Sequence, residues 1–310
     1  MVDKGMRALL CALLLALLLP ACTALGDYSM PVKDGDLSVY GGLDENVKNI
    51  LLIGTDTREN ETASGRADTM MICSINQTTG LINVISLARD TWVTMGDNGH
   101  ENKLNAAHTF GGPNLLMQTI NRTYNLNIEH YVTVNFYGIC DIVDTLGGVT
   151  IQLEKDEPWA INTTVEESYG NYGDAPIQRV PSDATEARLC GAQALAYARI
   201  RKLDADGDFS RTNRQRRVLT ALLERYRSVS FTQALSLLEQ ILPKITTDMT
   251  EKEILGHVVS LFPIFSVMEI QNQHIPAPDT YASRKIDGMA VLVADLDANR
   301  RILEQSLGAN

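Results

Sequence analysis

"TMMICSINQTTGLINVISLARD", residues 69–90, contains two apolar runs rich in β-branched residues, 69–75 and 81–87, joined only by NQTTG. Short apolar runs bounded by turn residues read as strands, and so brief a connection makes them an antiparallel hairpin. A hairpin sets the start of its first strand beside the end of its second. Asp68, just ahead of the first run, therefore meets Arg89 and Asp90, just after the second, at one edge. Arg66 of GRADT stands at the entrance of the same strand. A third apolar run, NILLIG (49–54), leads into GTDTREN; if it runs parallel to 81–87, Asp56 and Arg58 join this edge. Ligands of open α/β sheets bind at such carboxyl ends of strands.

Working outward, YVTVNF (131–136), GVTIQL (148–153) and MAVLVADL (289–296) supply further strands. Helical periodicity covers 113–124, 137–146, 186–200, 210–227, 230–241, 250–261 and the stretch from 297 onward. The alternation predicts an α/β fold: a central, mostly buried β-sheet flanked by helices as three α-β-α layers. Residues 154–185, with Gly170, Gly173, Pro176 and Pro181, read as a long loop or flap.

Within the expected helix 210–227, the apolar stripe of Val218, Leu219, Leu222, Leu223 and Tyr226 extends backward onto Gln215, Arg214 and Arg211. Arg199 and Arg201 close the preceding helix. A helix needing only solubility scatters Lys and Glu outward, whereas guanidiniums suit forked contacts with phosphate. Arg211 and Gln215 are accordingly expected to face a bound anion. Arg216 and Arg217 fall off the stripe and read as a solvated face.

The whole chain has 310 residues, 45% of them hydrophobic, and a formal charge of −11. Length and composition fit a globular chain with a sizeable core. The acidic balance argues against nucleic acid as a partner, so any anion site is local. Lys4 and Arg7 precede ALLCALLLALLLP, the pattern of an export signal. Residues 1–25 are thus expected as a signal peptide or membrane anchor, with Cys22 of LPAC in a lipobox-like position. An uncleaved spanning helix is the alternative. Residues 26–43 read as a flexible linker and 44–310 as the folded domain. Cys73, Cys140 and Cys190 lie apart in apolar surroundings, and the five histidines form no zinc-ligand spacing.

Two aspartates beside arginines are poorly placed for stability but well placed for a divalent cation bridging to phosphate oxygens. Magnesium accepts one or two carboxylates plus phosphate and water, so Asp56 and Asp68 suit it. The plainer alternative is Asp–Arg pairing, such as Asp68 with Arg66 or Arg89. There is no GxSxG and no Walker motif. Phosphoryl transfer by positioning and charge neutralisation, with an acceptor's hydroxyl as attacker, needs neither.

The ordered motifs NILLIGTD, RADTMM, SLARDTWV, KLNAAHTFGGP, HYVTVNFYG, DTLGGV, ALAYARIRK and DFSRTNRQR strongly resemble the LytR-CpsA-Psr family of bacterial cell-envelope enzymes. The resemblance implies an extracytoplasmic, membrane-tethered phosphotransferase. Such an enzyme moves an anionic glycopolymer, of teichoic acid or capsular type, from a polyprenyl-pyrophosphate carrier to a muramic acid hydroxyl of peptidoglycan. It also implies that Asp56 and Asp68 hold Mg2+, while Arg89, Arg199, Arg201, Arg211 and Gln215 grip the pyrophosphate. Arg58 and Arg66 join the substrate-binding set, and Lys103 and Asn105 of KLNAA match a motif near the site. Asp90 is the candidate to orient an arginine or take the acceptor's proton, and Asp208 is its rival. The polyprenyl chain is expected among 115–120, 131–139 and 189–198. Ala88 stands where the family commonly has proline. A polyprenyl-pyrophosphate hydrolase and a non-catalytic envelope sensor remain alternatives.

Overall fold

The computed structural model describes residues 36–55, 67–96, 99–168, 177–201, 203, 208–265 and 267–307. β1 (Val47–Thr55), β2 (Ala67–Asn76) and β3 (Leu81–Leu87) pair antiparallel in succession, so β1 and β3 point the same way with β2 between them. The small pair β4 (Trp92–Met95) and β5 (His100–Lys103) follows. β6 (Ile128–Asn135) lies parallel to β1. A second small pair, β7 (Val149–Gln152) and β8 (Glu186–Leu189), stands apart from the central sheet. β9 (Ile245–Thr247) and β10 (Glu269–Ile275) complete the six-stranded sheet in the order β10-β3-β2-β1-β6-β9. β11 (Tyr281–Ile286) and β12 (Met289–Ala294) form a separate hairpin.

The helices α1 (Leu104–Tyr124) and α8 (Leu296–Leu307) pack with one face of the sheet; Leu116, Met117, Ile120 and Leu303 close on Leu51, Ile53, Ile72 and Ile85. On the other face lie α2 (Phe136–Thr145), α3 (Glu157–Ser168), α4 (Gly191–Ala198) and α5 (Asp208–Arg227), joined through Val143, Ile161, Tyr197, Val218 and Leu222. α6 (Phe231–Ile241) and α7 (Glu251–Phe265) meet through Phe231 and Phe262. Period-two alternation sorts β1 between the two faces. Val47, Leu51 and Ile53 are buried toward α1, whereas Ile50, Leu52 and Gly54 are only half-buried on the opposite side. That half-buried face lines a cavity.

The α/β architecture follows the predicted alternation, with four local corrections. The expected linker does not extend to residue 43: Leu37 is buried in the core, its carbonyl accepts from Asn121 Nδ2, and Tyr40 N donates to Leu126 O. The expected flap contains α3, whose Glu157 is buried. The expected helix 186–200 divides into β8 and α4. A Cβ at Gly191 would collide with the Cys140 carbonyl and Asp144 Oδ2, so this glycine lets α4 press against α2. Finally, MAVLVA pairs with β11 rather than entering the central sheet, while polar EIQNQHI takes the edge position as β10. Residues 1–35 lie outside the described residues, as does the expected lipobox cysteine, Cys22. Among the described residues, no helix is long and apolar enough to cross a membrane.

Arg214 Nε donates to Glu157 Oε1 at 2.7 Å, with side chains 5% and 1% exposed. A buried ion left without its partner costs about 3–5 kcal/mol. Glu157→Ala is therefore expected to lower unfolding free energy by about that amount in urea titrations, and Glu157→Leu combined with Arg214→Met to recover most of it.

Candidate active site

The antiparallel hairpin brings Asp68 and Arg89 together: Arg89 Nη1 donates to Asp68 Oδ1 at 2.6 Å. Thr55 at the end of β1 pairs with Ala67, so the chain leaves β1 beside this contact. Arg89 Nη2 lies 3.5 Å from Asp208 Oδ1, and its Nε lies 3.8 Å from Asp90 Oδ2. Asp90 Oδ1 accepts from Lys103 Nζ at 2.7 Å, and Asp208 Oδ1 accepts from Arg211 Nη2 at 2.6 Å. Asn105 contributes through its main chain, its N–H donating to the Arg89 carbonyl. The plainer Asp68–Arg89 pairing is thus formed, and it is one edge of a larger network.

Two guanidinium donors in this network are unused. Nε of Arg89 and Nε of Arg211 are buried and, among the described residues, lack a hydrogen-bond partner. Burial opposes the charge of Arg89, but Asp208, Asp68 and Asp90 together outweigh it and raise its pKa. Burial likewise raises the Asp208 pKa; Asp90 and Asp68 add to the rise, against Arg89 and Arg201. The three cations are matched by three carboxylates, and what suits the network to a further anion is the pair of guanidinium Nε donors left without a partner.

Beside the network, Leu52, Gly54, Thr69, Val134, Phe136, Ile139, Leu195, Val218, Leu219 and Leu222 surround an apolar cavity of about 150 Å³. Arg199 and Gln215 also line it, and Arg199 stands 4.7 Å over the Phe136 ring. Thr69 adjoins Asp68, and Gln215 lies one helical turn beyond Arg211. Two of the three expected pocket segments therefore contribute. The third, 115–120, does not: Leu116, Met117 and Ile120 pack against the opposite face of the sheet.

Asp56, Arg58 and Arg66 lie outside the described residues. Arg201 is exposed and acts on Asp208 through charge. Arg214, on the same inward stripe as Arg211, faces an internal carboxylate instead of a ligand. Arg216 departs from the solvated-face expectation: its Nε and Nη1 are buried without hydrogen-bond partners, and burial lowers its pKa to about 10. Asp68 Oδ1 is engaged by Arg89, while its other oxygen has no hydrogen bond among the described residues. One such hard oxygen is what magnesium takes when phosphate and water fill the remaining positions. Among the described residues, no three carboxylate, histidine or cysteine side chains form a complete metal cage.

Residues 28–306 match the LytR_cpsA_psr family. The chain belongs to this family. One member, the polyisoprenyl-teichoic acid–peptidoglycan teichoic acid transferase TagU of Oceanobacillus iheyensis, is 35% identical over 66% of this chain and 60% of its own length. The chain spans about 60% of the length of the first curated relatives it matches. Among solved structures, a Streptococcus agalactiae protein matches with a TM-score of 0.70 at 25% identity, covering 86% of this chain and 89% of that one. Bacillus subtilis TagT bound to LIIa-WTA matches with a TM-score of 0.65 at 22% identity, covering 92% and 98%. The likeness to TagT concerns the LytR_cpsA_psr fold.

Family motifs carry most of the network, and Phe209 falls within DFSRTNRQR, but no motif marks His274. Phe209 packs 4.5 Å from His274 and stacks on Tyr281 at 5.4 Å. His274 Nδ1 lies 3.1 Å from the Pro276 carbonyl, and burial drives its pKa down to about 4. A histidine that ionises near 6.5 when unfolded but near 4 when folded opposes folding as it gains its proton. Stability is expected to fall as pH drops from about 6.5 to about 4, by about 2 kcal/mol after allowance for partial exposure. Thermal melts across this range should show a flatter dependence for His274→Gln.

Proposed function

We propose that this protein is a magnesium-dependent phosphotransferase acting at the extracytoplasmic face of the cell membrane. It moves a polyprenyl-pyrophosphate-linked anionic glycopolymer onto a muramic acid hydroxyl of peptidoglycan. The carrying observation is the junction of an apolar cavity with a half-buried network holding spare guanidinium donors. A ligand matching both has a hydrocarbon tail, the first units of which the cavity takes, and a polyanionic head. The transferase name of the TagU relative supports the same substrate class.

In this reading the polyprenyl chain enters the cavity beneath Arg199 and Gln215, and its pyrophosphate reaches Arg89 and Arg211. Asp56 and Asp68 would hold magnesium, which when bound neutralises phosphate charge. The acceptor's hydroxyl oxygen bonds to the glycan-bearing phosphorus, the bond from that phosphorus to the bridging oxygen breaks, and polyprenyl monophosphate leaves. The hydroxyl proton passes to a carboxylate. Asp208, with its raised pKa, suits that task, and Asp90, held by Lys103, suits orientation of Arg89. Residues 1–25 tether the enzyme to the membrane, so the carrier is presented from the bilayer.

The test is product analysis by mass spectrometry. The full chain is incubated with a short-chain polyprenyl-pyrophosphate glycan, a peptidoglycan oligomer and magnesium. A covalent glycan–peptidoglycan product is expected, abolished by chelation. Loss of a positioned charge from such a site costs about 10²–10³ in kcat, and Arg89→Ala and Arg211→Ala are each expected in that range. Asp68→Ala is expected to lose turnover while retaining lipid binding. Release of monophosphate without linkage would identify a hydrolase, and tight binding without turnover a sensor.

A further inference from the structure

A second cavity, of about 240 Å³, opens on the same carboxylates from another direction. Its lining comes from Ala88 and Asp90 after β3, Asp208, Phe209 and Thr212 at the start of α5, His274 near the end of β10, and the β11–β12 hairpin. It shares no lining residue with the apolar cavity.

The two cavities succeed one another along α5. Asp208, Thr212, Gln215, Leu219 and Leu222 repeat at helical spacings of three and four, which puts them on one stripe. The first two line the polar cavity and the last three the apolar one. Arg211, between them in sequence, joins Asp208 and thereby Arg89. At a rise of 1.5 Å per residue, Thr212 and Leu219 are about 10 Å apart along the helix, with the guanidiniums at their junction. In-line displacement places the attacking oxygen opposite the leaving oxygen. If the carrier's tail and phosphate lie toward Leu219 and Leu222, the attacker arrives from the side of Asp208 and Thr212.

The hairpin wall is tied to the site. Leu292 N donates to the Asp90 carbonyl at 2.9 Å, and Thr91 bridges to Leu292. This bond sets the wall against the segment that carries Asp90. Arg284 stands opposite Val291 in the hairpin ladder, lines the cavity, is exposed, and has no carboxylate partner among the described residues. Acidic oxygens at the floor therefore face an unpaired guanidinium in the wall, with Phe209 and Val291 as apolar surface between. The volume lies below the roughly 300–1,000 Å³ of pockets for drug-sized ligands, so it fits a single sugar ring. Carboxylates at the floor favour a hydroxyl donor and disfavour phosphate.

We propose that this cavity is the acceptor site, taking one amino-sugar ring of a glycan strand with its primary hydroxyl at Asp90 and Asp208 and a carboxylate of its attached peptide at Arg284. The proposal rests on the phosphotransferase reading for its role, but binding can be measured without turnover. The probe is a muramyl-peptide tetrasaccharide carrying a photoreactive diazirine, used with the full chain. Crosslinked peptides are expected from 208–212 and 281–292. Charge reversal in Arg284→Glu is expected to weaken tetrasaccharide binding about tenfold and to raise the acceptor KM with little change in the donor KM. Arg284→Lys should retain most of the affinity. Ala290→Phe, which fills the cavity without removing charge, should reproduce the loss and guards against a folding defect peculiar to position 284. Crosslinks confined to other surfaces, unchanged affinity in both Arg284→Glu and Ala290→Phe, or protection of 281–292 by the donor glycan alone would overturn the assignment. Absence of donor turnover with crosslinks at 208–212 and 281–292 would overturn the phosphotransferase reading and leave the binding site standing.

Discussion

A positive charge held in half-buried surroundings by three carboxylates is the constraint around which this molecule is organised. Arg89 meets Asp68 across the hairpin, Asp90 beside it in sequence and Asp208 from a distant helix. A carboxylate taken from water is costly unless opposed by charge. The strand edge and the first turn of α5 are consequently mutually dependent: each brings a group that the other makes tolerable. The network still leaves the inner nitrogens of Arg89 and Arg211 without partners. A structure selected only for stability would satisfy or remove such groups.

Helix α5 uses the same side-chain chemistry for two different ends. Arg211 belongs to the half-buried network, while Arg214, three residues on, is sealed against Glu157 of α3. Both arginines point inward and both are buried, but Arg211 joins the carboxylate network between the two cavities whereas Arg214 is closed off from them. The separation follows from the neighbouring element: α3 covers Arg214, whereas the mouth of the apolar cavity lies one turn beyond Arg211. The incompletely buried face of β1 has the same origin. Leu52 is aliphatic, as core residues are, but the helices opposite it stand back far enough to leave the cavity.

Local sequence patterns made much of this legible. A short connection between two β-branched runs required a hairpin, and the hairpin required Asp68 and Arg89 to meet. The 3.6-residue stripe of α5 pointed Arg211 and Gln215 inward. Patterns failed where burial is decided by remote partners. The polar β10 is readable as a strand only because β3 supplies a parallel neighbour. Glu157 looks like a loop carboxylate until Arg214 arrives from 57 positions away. His274 and Arg284 have no local signature, since their position beside Asp90 depends on the hairpin bonding to the main chain there.

The sequence by itself determined the α/β class, the family, and the charged residues that crowd one edge of the sheet, because these follow from periodicities of two and 3.6 and from ordered motifs. Only the tertiary structure decided which arginine joins the half-buried network and which is sealed against a remote internal carboxylate, and which aliphatic residues close a core and which line a cavity. Those distinctions depend on the distance between elements far apart in the chain, a quantity that no local spacing of residues contains.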